Sequence, residues 1–139
     1  MDQPDQPHVT DEEREIFDHA LEQILRELPG ALHDLLEEVP LIVEDLPSAA
    51  LARELDLPPN AVLCGLHSGI PLTQRSVNHS GTLPDRIQVF RDGVINQSLD
   101  AAGWIDARRL HQQIRITVLH EIGHHFGLDE QQLADAGYA

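Results

Sequence analysis

Two histidines four residues apart, His120 and His124, lie in a stretch whose apolar residues recur at helical spacing, and this pairing constrains the chain more than any other feature. Ile105, Leu110, Ile114, Val118, Leu119 and Ile122 supply one side of a long helix predicted to begin near Asp100 or Asp106 and to run to Phe126. Positions four apart lie one turn on, with Cβ atoms roughly 5–6 Å apart. Two imidazoles so placed can converge on one ion at about 2.0–2.1 Å, the usual zinc–nitrogen distance. Glu121 projects about 100° further round the helix. It is too far round to join the pair but well placed to take a proton from a water that the ion activates, as a general base must. The alternative is a surface helix whose histidines are merely solvated. Leu119, Ile122 and Phe126 argue against it, because they set the helix against a core where idle histidines would be costly.

Gly127 stands where a helix commonly ends in a left-handed residue. If the chain turns back there, a residue about three positions later can swing in as a third protein ligand. The carboxylates that follow are Asp129, Glu130 and Asp135. Register favours Glu130, with Asp129 the main competitor. His125 points elsewhere, to a supporting or a surface role, and His111 is roughly opposite in phase to His120. His8, His19, His33, His67 and His79 are scattered and read as structural or exposed.

A chain of 139 residues is the size of one domain. Residues 1–9 are expected to form a flexible N-terminus, and 10–139 a single domain. The net charge of −15 works against nucleic acid, since phosphate binding needs clustered cations, and against an anionic membrane surface. All nine basic residues are arginine, which excludes lysine Schiff-base chemistry and a P-loop. Cys64 is the sole cysteine and sits among apolar neighbours, so it reads as a buried, inert thiol. The polar start from Met1 to Pro7 lacks the pattern of a signal peptide, and no apolar run is long enough to span a membrane. The cytoplasm is the expected compartment.

Thr10 with Glu13 predicts a capping box opening a first helix. Its stripe is Ile16, Phe17, Ala20, Leu21, Ile24, Leu25 and Leu28, and Pro29-Gly30 ends it. The stripe suits core packing and a homodimer equally. A second helix is predicted over Ala31 to Glu38, a strand at Leu41-Ile42-Val43, and a short helix capped by Ser48. Another strand is predicted over Val62 to Leu66, followed by a long loop from Ser68 to Pro84. Arg86 to Arg91 alternates with a period of two, as a half-buried or edge strand should, and could present an edge to an extended peptide. Asp92-Gly93 reads as a turn towards Val94-Ile95. One or two further helical turns are expected after Leu128.

With the tract His120-Glu121-Ile122-Gly123-His124-His125-Phe126-Gly127 in view, the chain resembles the small bacterial zincin-like metallopeptidases, or mini-zincins. Leu41 to Ser48, Leu63 to Arg75 and Leu83 to Arg91 resemble the family's strands and loops, and Arg115 to Leu119 leads into the motif as the family's active helix does. The resemblance implies a compact α+β fold, a small mixed sheet packed on the active helix, and zinc held by two histidines and a carboxylate. The family usually has aspartate at the third-ligand position, where this chain has Glu130, preceded by Asp129. Larger zincins support the metal with a methionine turn after the third ligand; here the only methionine is Met1. Tyr138 could pack beneath the site, more as an anchor than as a catalytic group.

The expected function is zinc-dependent hydrolysis of a peptide or protein substrate, with Glu121 as base and His120, His124 and Glu130 as metal ligands. One rival is a zinc-binding module, without useful proteolysis, that acts through a protein partner. Another is a regulatory protein that docks through the acidic face of the first helix.

Overall fold

The computed structural model describes residues 9–58, 61–68, 86–127 and 129–135, with Glu130, Leu133 and Ala134 as backbone only. The long loop predicted after Ser68, and Tyr138, lie outside the described residues. Helix α1 spans Asp11–Glu27 and opens with the predicted capping box. The Glu13 amide donates to Thr10 Oγ1 at 3.1 Å, and the Thr10 amide donates to Glu13 Oε1 at 2.9 Å. Phe17, Leu21 and Ile24 face inward, while Ile16 drops off the stripe at 41% exposure. Helix α2 follows at Gly30–Glu38, and strand β1 at Leu41–Glu44. Ser48 accepts from the Leu51 amide at 3.1 Å to start α3, Ala49–Glu54.

Strands β2 (Gly65–Ser68) and β3 (Arg86–Phe90) complete a three-stranded mixed sheet in the order β1-β3-β2. β1 runs parallel to β3, with Val43 opposite Val89, and β2 antiparallel, with Gly65 opposite Val89. Three elements differ from what the sequence pattern predicts. Strand β2 is displaced towards the C-terminus, leaving Val62 outside it and exposed. β3 is the central strand, neither half-buried nor at an edge, and is buried from Ile87 to Phe90. Gln88 created the alternation, but its amide is buried and donates to Glu44 Oε1 on β1 at 3.3 Å. Asp92-Gly93 is no turn, because both lie in a helix, α4, Arg91–Asn96. Gly93 marks a close approach: a Cβ there would collide with the carbonyl oxygen of Leu63.

Helix α5, Ala107–His125, starts at the second of the two predicted caps. Asp106 Oδ1 accepts from the Arg109 amide at 2.9 Å. Asp100 instead organises the preceding turn, accepting from the amides of Ala102 and Trp104 at 2.9 and 3.0 Å. The short helix α6 covers Glu130–Asp135.

One apolar cluster holds these elements together. Leu110, Ile114, Val118 and Ile122 of α5 join Phe17, Leu21 and Ile24 of α1, Ile87 and Val89 of β3, and Val94 and Ile95 of α4. Each fully buried side chain of this size contributes about 1.5–3 kcal/mol. At the rim Arg91 fastens α1 to the sheet. It donates to both carboxylate oxygens of Asp18 at 2.9 and 3.1 Å and to Asp45 Oδ1 at 2.9 Å, and it lies over the Phe17 ring. Arg14 donates to Asp45 Oδ2 at 2.6 Å. The hydrogen bond from Arg14, reinforced by Arg91, holds the Asp45 carboxyl below the usual carboxylate range despite partial burial. Among the described residues, no helix is long and apolar enough to cross a membrane.

Candidate metal centre

The last two turns of α5 bring the two ring nitrogens together. His120 Nε2 and His124 Nε2 stand 3.1 Å apart, with the ring planes 80° to one another. Two nitrogens each about 2.0–2.1 Å from one tetrahedral ion would be about 3.3 Å apart, so the pair is set close to a zinc-binding spacing. Both rings are half-buried, whereas Glu121 is only 6% exposed. A carboxylate oxygen of Glu121 and the two ring nitrogens all lie within 4.8 Å of one another. The long side chain thus offsets the angular step along the helix. Among the described residues, His120, Glu121 and His124 are the group able to hold a metal ion.

The helix ends as Gly127 requires. Its φ of +85° lies in the left-handed region, and its amide donates to the carbonyl of His124 at 2.9 Å. The chain then turns into α6, whose first residue is Glu130. The side chain of Glu130 lies outside the described residues. Asp129 is exposed and occupied with the start of α6. Its Oδ1 accepts from the Gln132 amide at 2.8 Å, while its own amide donates to Gln132 Oε1 at 2.9 Å. Asp135 is exposed at the far end of α6, where its Oδ1 accepts from Gln131 Nε2 at 3.0 Å.

His125 is buried, so the surface role left open for it falls away. Its ring meets those of His67 on β2 and Phe126 edge to face, at centroid distances of 5.6 and 5.4 Å. His111 faces the end of α1, with Nε2 3.6 Å from a Glu27 carboxylate oxygen.

Beside His120 and Glu121 opens a cavity of about 240 Å³, lined further by Cys64, Gly65, Gln113, Ile116 and Thr117. None of these five residues belongs to the site that the sequence motif predicts. Gln113 and Thr117 stand eight and four residues before Glu121, on the same stripe of α5, and that register was the available signal. Gln113 Nε2 donates to Thr117 Oγ1 at 3.4 Å and approaches Cys64 Sγ at 3.9 Å. Cys64 is only half-buried, against the expectation of full burial. Burial, with a smaller push from the Glu121 charge, raises its thiol to about 11, so it stays protonated and inert at neutral pH.

Residues 36–138 match the sequence model of the zincin-like metallopeptidases. The chain belongs to this family. No curated protein matches it. The zincin-like part takes in only the last three residues of α2, then the sheet and α3 to α6, and leaves α1 outside. Helix α1 nevertheless supplies Phe17, Leu21 and Ile24 to the core on which the zincin helix rests. A sheet of three mixed strands against that helix is a minimal version of the zincin-like α+β arrangement. Members of such a family usually hold a metal, and the convergent imidazoles with a buried carboxylate beside them fit one.

Proposed function

We propose that this protein is a zinc-dependent peptidase in which His120, His124 and Glu130 hold the ion and Glu121 is the general base. The 3.1 Å separation of the two Nε2 atoms, with the Glu121 carboxylate beside them, is the observation that carries this reading. Glu130 is favoured as third ligand because it follows the Gly127 turn by three residues, while the neighbouring Asp129 carboxylate is engaged in capping α6. Zinc, when bound, supplies Lewis acidity towards the scissile carbonyl and lowers the pKa of a water it holds to about 7. Glu121 accepts the proton of the attacking water and returns it to the departing amine. Its burial keeps competing solvent from the carboxylate. An extended peptide would lie along β2, at the edge of the sheet among the described residues, and not along β3 as the alternation suggested.

The size of the cavity favours a second reading. At about 240 Å³ it is smaller than most ligand clefts, which run from about 300 Å³ upward. A zinc-binding module that acts through a protein partner would need no larger cleft. The two readings part on one experiment, a peptidase assay of the zinc-loaded parent against Glu121→Gln. For the peptidase, kcat in the variant falls by about 10²–10⁴-fold with zinc retained. A parent that holds zinc yet hydrolyses no peptide is the module.

A further inference from the structure

The Glu121 carboxylate ends a flexible side chain, and a general base is effective only when held in place. Strand β2 comes close to the Glu121 methylenes where it packs on α5. A Cβ built on Gly65 would stand 2.8 Å from Thr117 Cγ2, 3.1 Å from Glu121 Cγ and 3.1 Å from the backbone oxygen of Gln88. Gly65 does not have the positive φ found at Gly103 and Gly127, so glycine is needed here for space and not for backbone conformation. The three neighbours differ in how far they can yield. The Gln88 oxygen belongs to the central strand and is fixed by the sheet. Thr117 is buried, is stiff about χ1, and accepts from Gln113 through its hydroxyl. Of the two side chains, that of Glu121 is the longer and is unbranched at Cβ.

Resting on the peptidase reading of this site, we infer that the bare backbone at Gly65 is a clamp that positions Glu121, with Thr117 bounding the space beside it. The bare backbone of β2 closes one side of the Glu121 methylenes, and the Thr117 methyl, one helical turn earlier, fills the room that a side chain at position 65 would need. A methyl group added at position 65 has its closest contact with Thr117 and displaces Glu121. The three nearest atoms include none from His120 or His124. Gly93 provides the contrast. Its hypothetical Cβ meets only backbone atoms of Leu63 and Cys64, so Gly93→Ala acts on the fold without aiming at Glu121.

The test uses Gly65→Ala and the double variant Gly65→Ala with Thr117→Ser, which removes the contact at 2.8 Å. Zinc content, Tm, kcat, KM and crystal structures are measured for each and for the parent. Gly65→Ala is expected to bind zinc as the parent does and to keep its KM, with kcat down about 100-fold, the scale of a misplacement near 1 Å. The double variant recovers most of that loss, and the crystal structures show Glu121 displaced in Gly65→Ala and returned in the double variant. A Gly65→Ala enzyme with parental kcat overturns the clamp. So does a loss of kcat that merely follows lost zinc or lowered Tm and is not rescued. If the parent shows no Glu121-dependent hydrolysis, the peptidase reading fails separately. The crystal structures then decide the clamp: a displaced Glu121 upholds it, and superimposable side chains refute it.

Discussion

Along α5 two stripes face different neighbours. Leu110, Ile114, Val118 and Ile122 merge with α1, β3 and α4 in a cluster made of carbon alone, whereas Thr117, Glu121 and His125 are buried on the side of β2, against Gly65 and His67. The first stripe gains free energy from burial. The second loses some, because taking a carboxylate and an imidazole out of water is unfavourable. The polar stripe therefore depends on the apolar one to keep it folded, while any chemistry depends on the polar one. Stability and activity should accordingly separate by stripe.

The widest separation is expected between Glu121→Gln, which lowers kcat by about 10²–10⁴-fold while leaving the unfolding midpoint near the parent's, and Phe17→Ala. Phe17 is fully buried, and truncating it should cost about 3–5 kcal/mol in urea unfolding. The fraction that remains folded should keep the parental zinc affinity. A Phe17 variant that is stable but inactive would break the separation. Arg91→Ala comes next, at about 1–3 kcal/mol, since it removes charge-assisted bonds to Asp18 and Asp45 from a side chain only 14% exposed. The smallest effect is on acid stability. Because the folded-state pKa of Asp45 lies below the ordinary value of 3.8, its contribution is complete above that value and lost as the pH falls through and below it. Asp45→Asn should flatten the dependence of Tm on pH in that range and nowhere else.

Local and long-range features were unequally legible in the sequence. The His120/His124 spacing, the Thr10–Glu13 box and the glycine stop at Gly127 are local patterns, and each carries its own geometry. The position of β3 is not local. Gln88 made the strand look half-exposed, and the partner of its buried Nε2, Glu44, stands on a neighbouring strand. Gly93 looked like a turn because glycine often makes one, yet its role is to admit the Leu63 carbonyl, which arrives from a distant part of the chain. Gly65 and Cys64 were unreadable as site residues for the same reason: the sheet, not the helix, delivers them to Glu121.

Zinc per chain tests the centre itself most directly, measured on the parent, His120→Ala and Glu130→Ala after mild purification and reloading. About one zinc in the parent, none in His120→Ala and a reduced content in Glu130→Ala is the expected result. A parent that takes up no metal when zinc is supplied would contradict the account, and the His120–His124 pair would then be an imidazole contact on a structural helix.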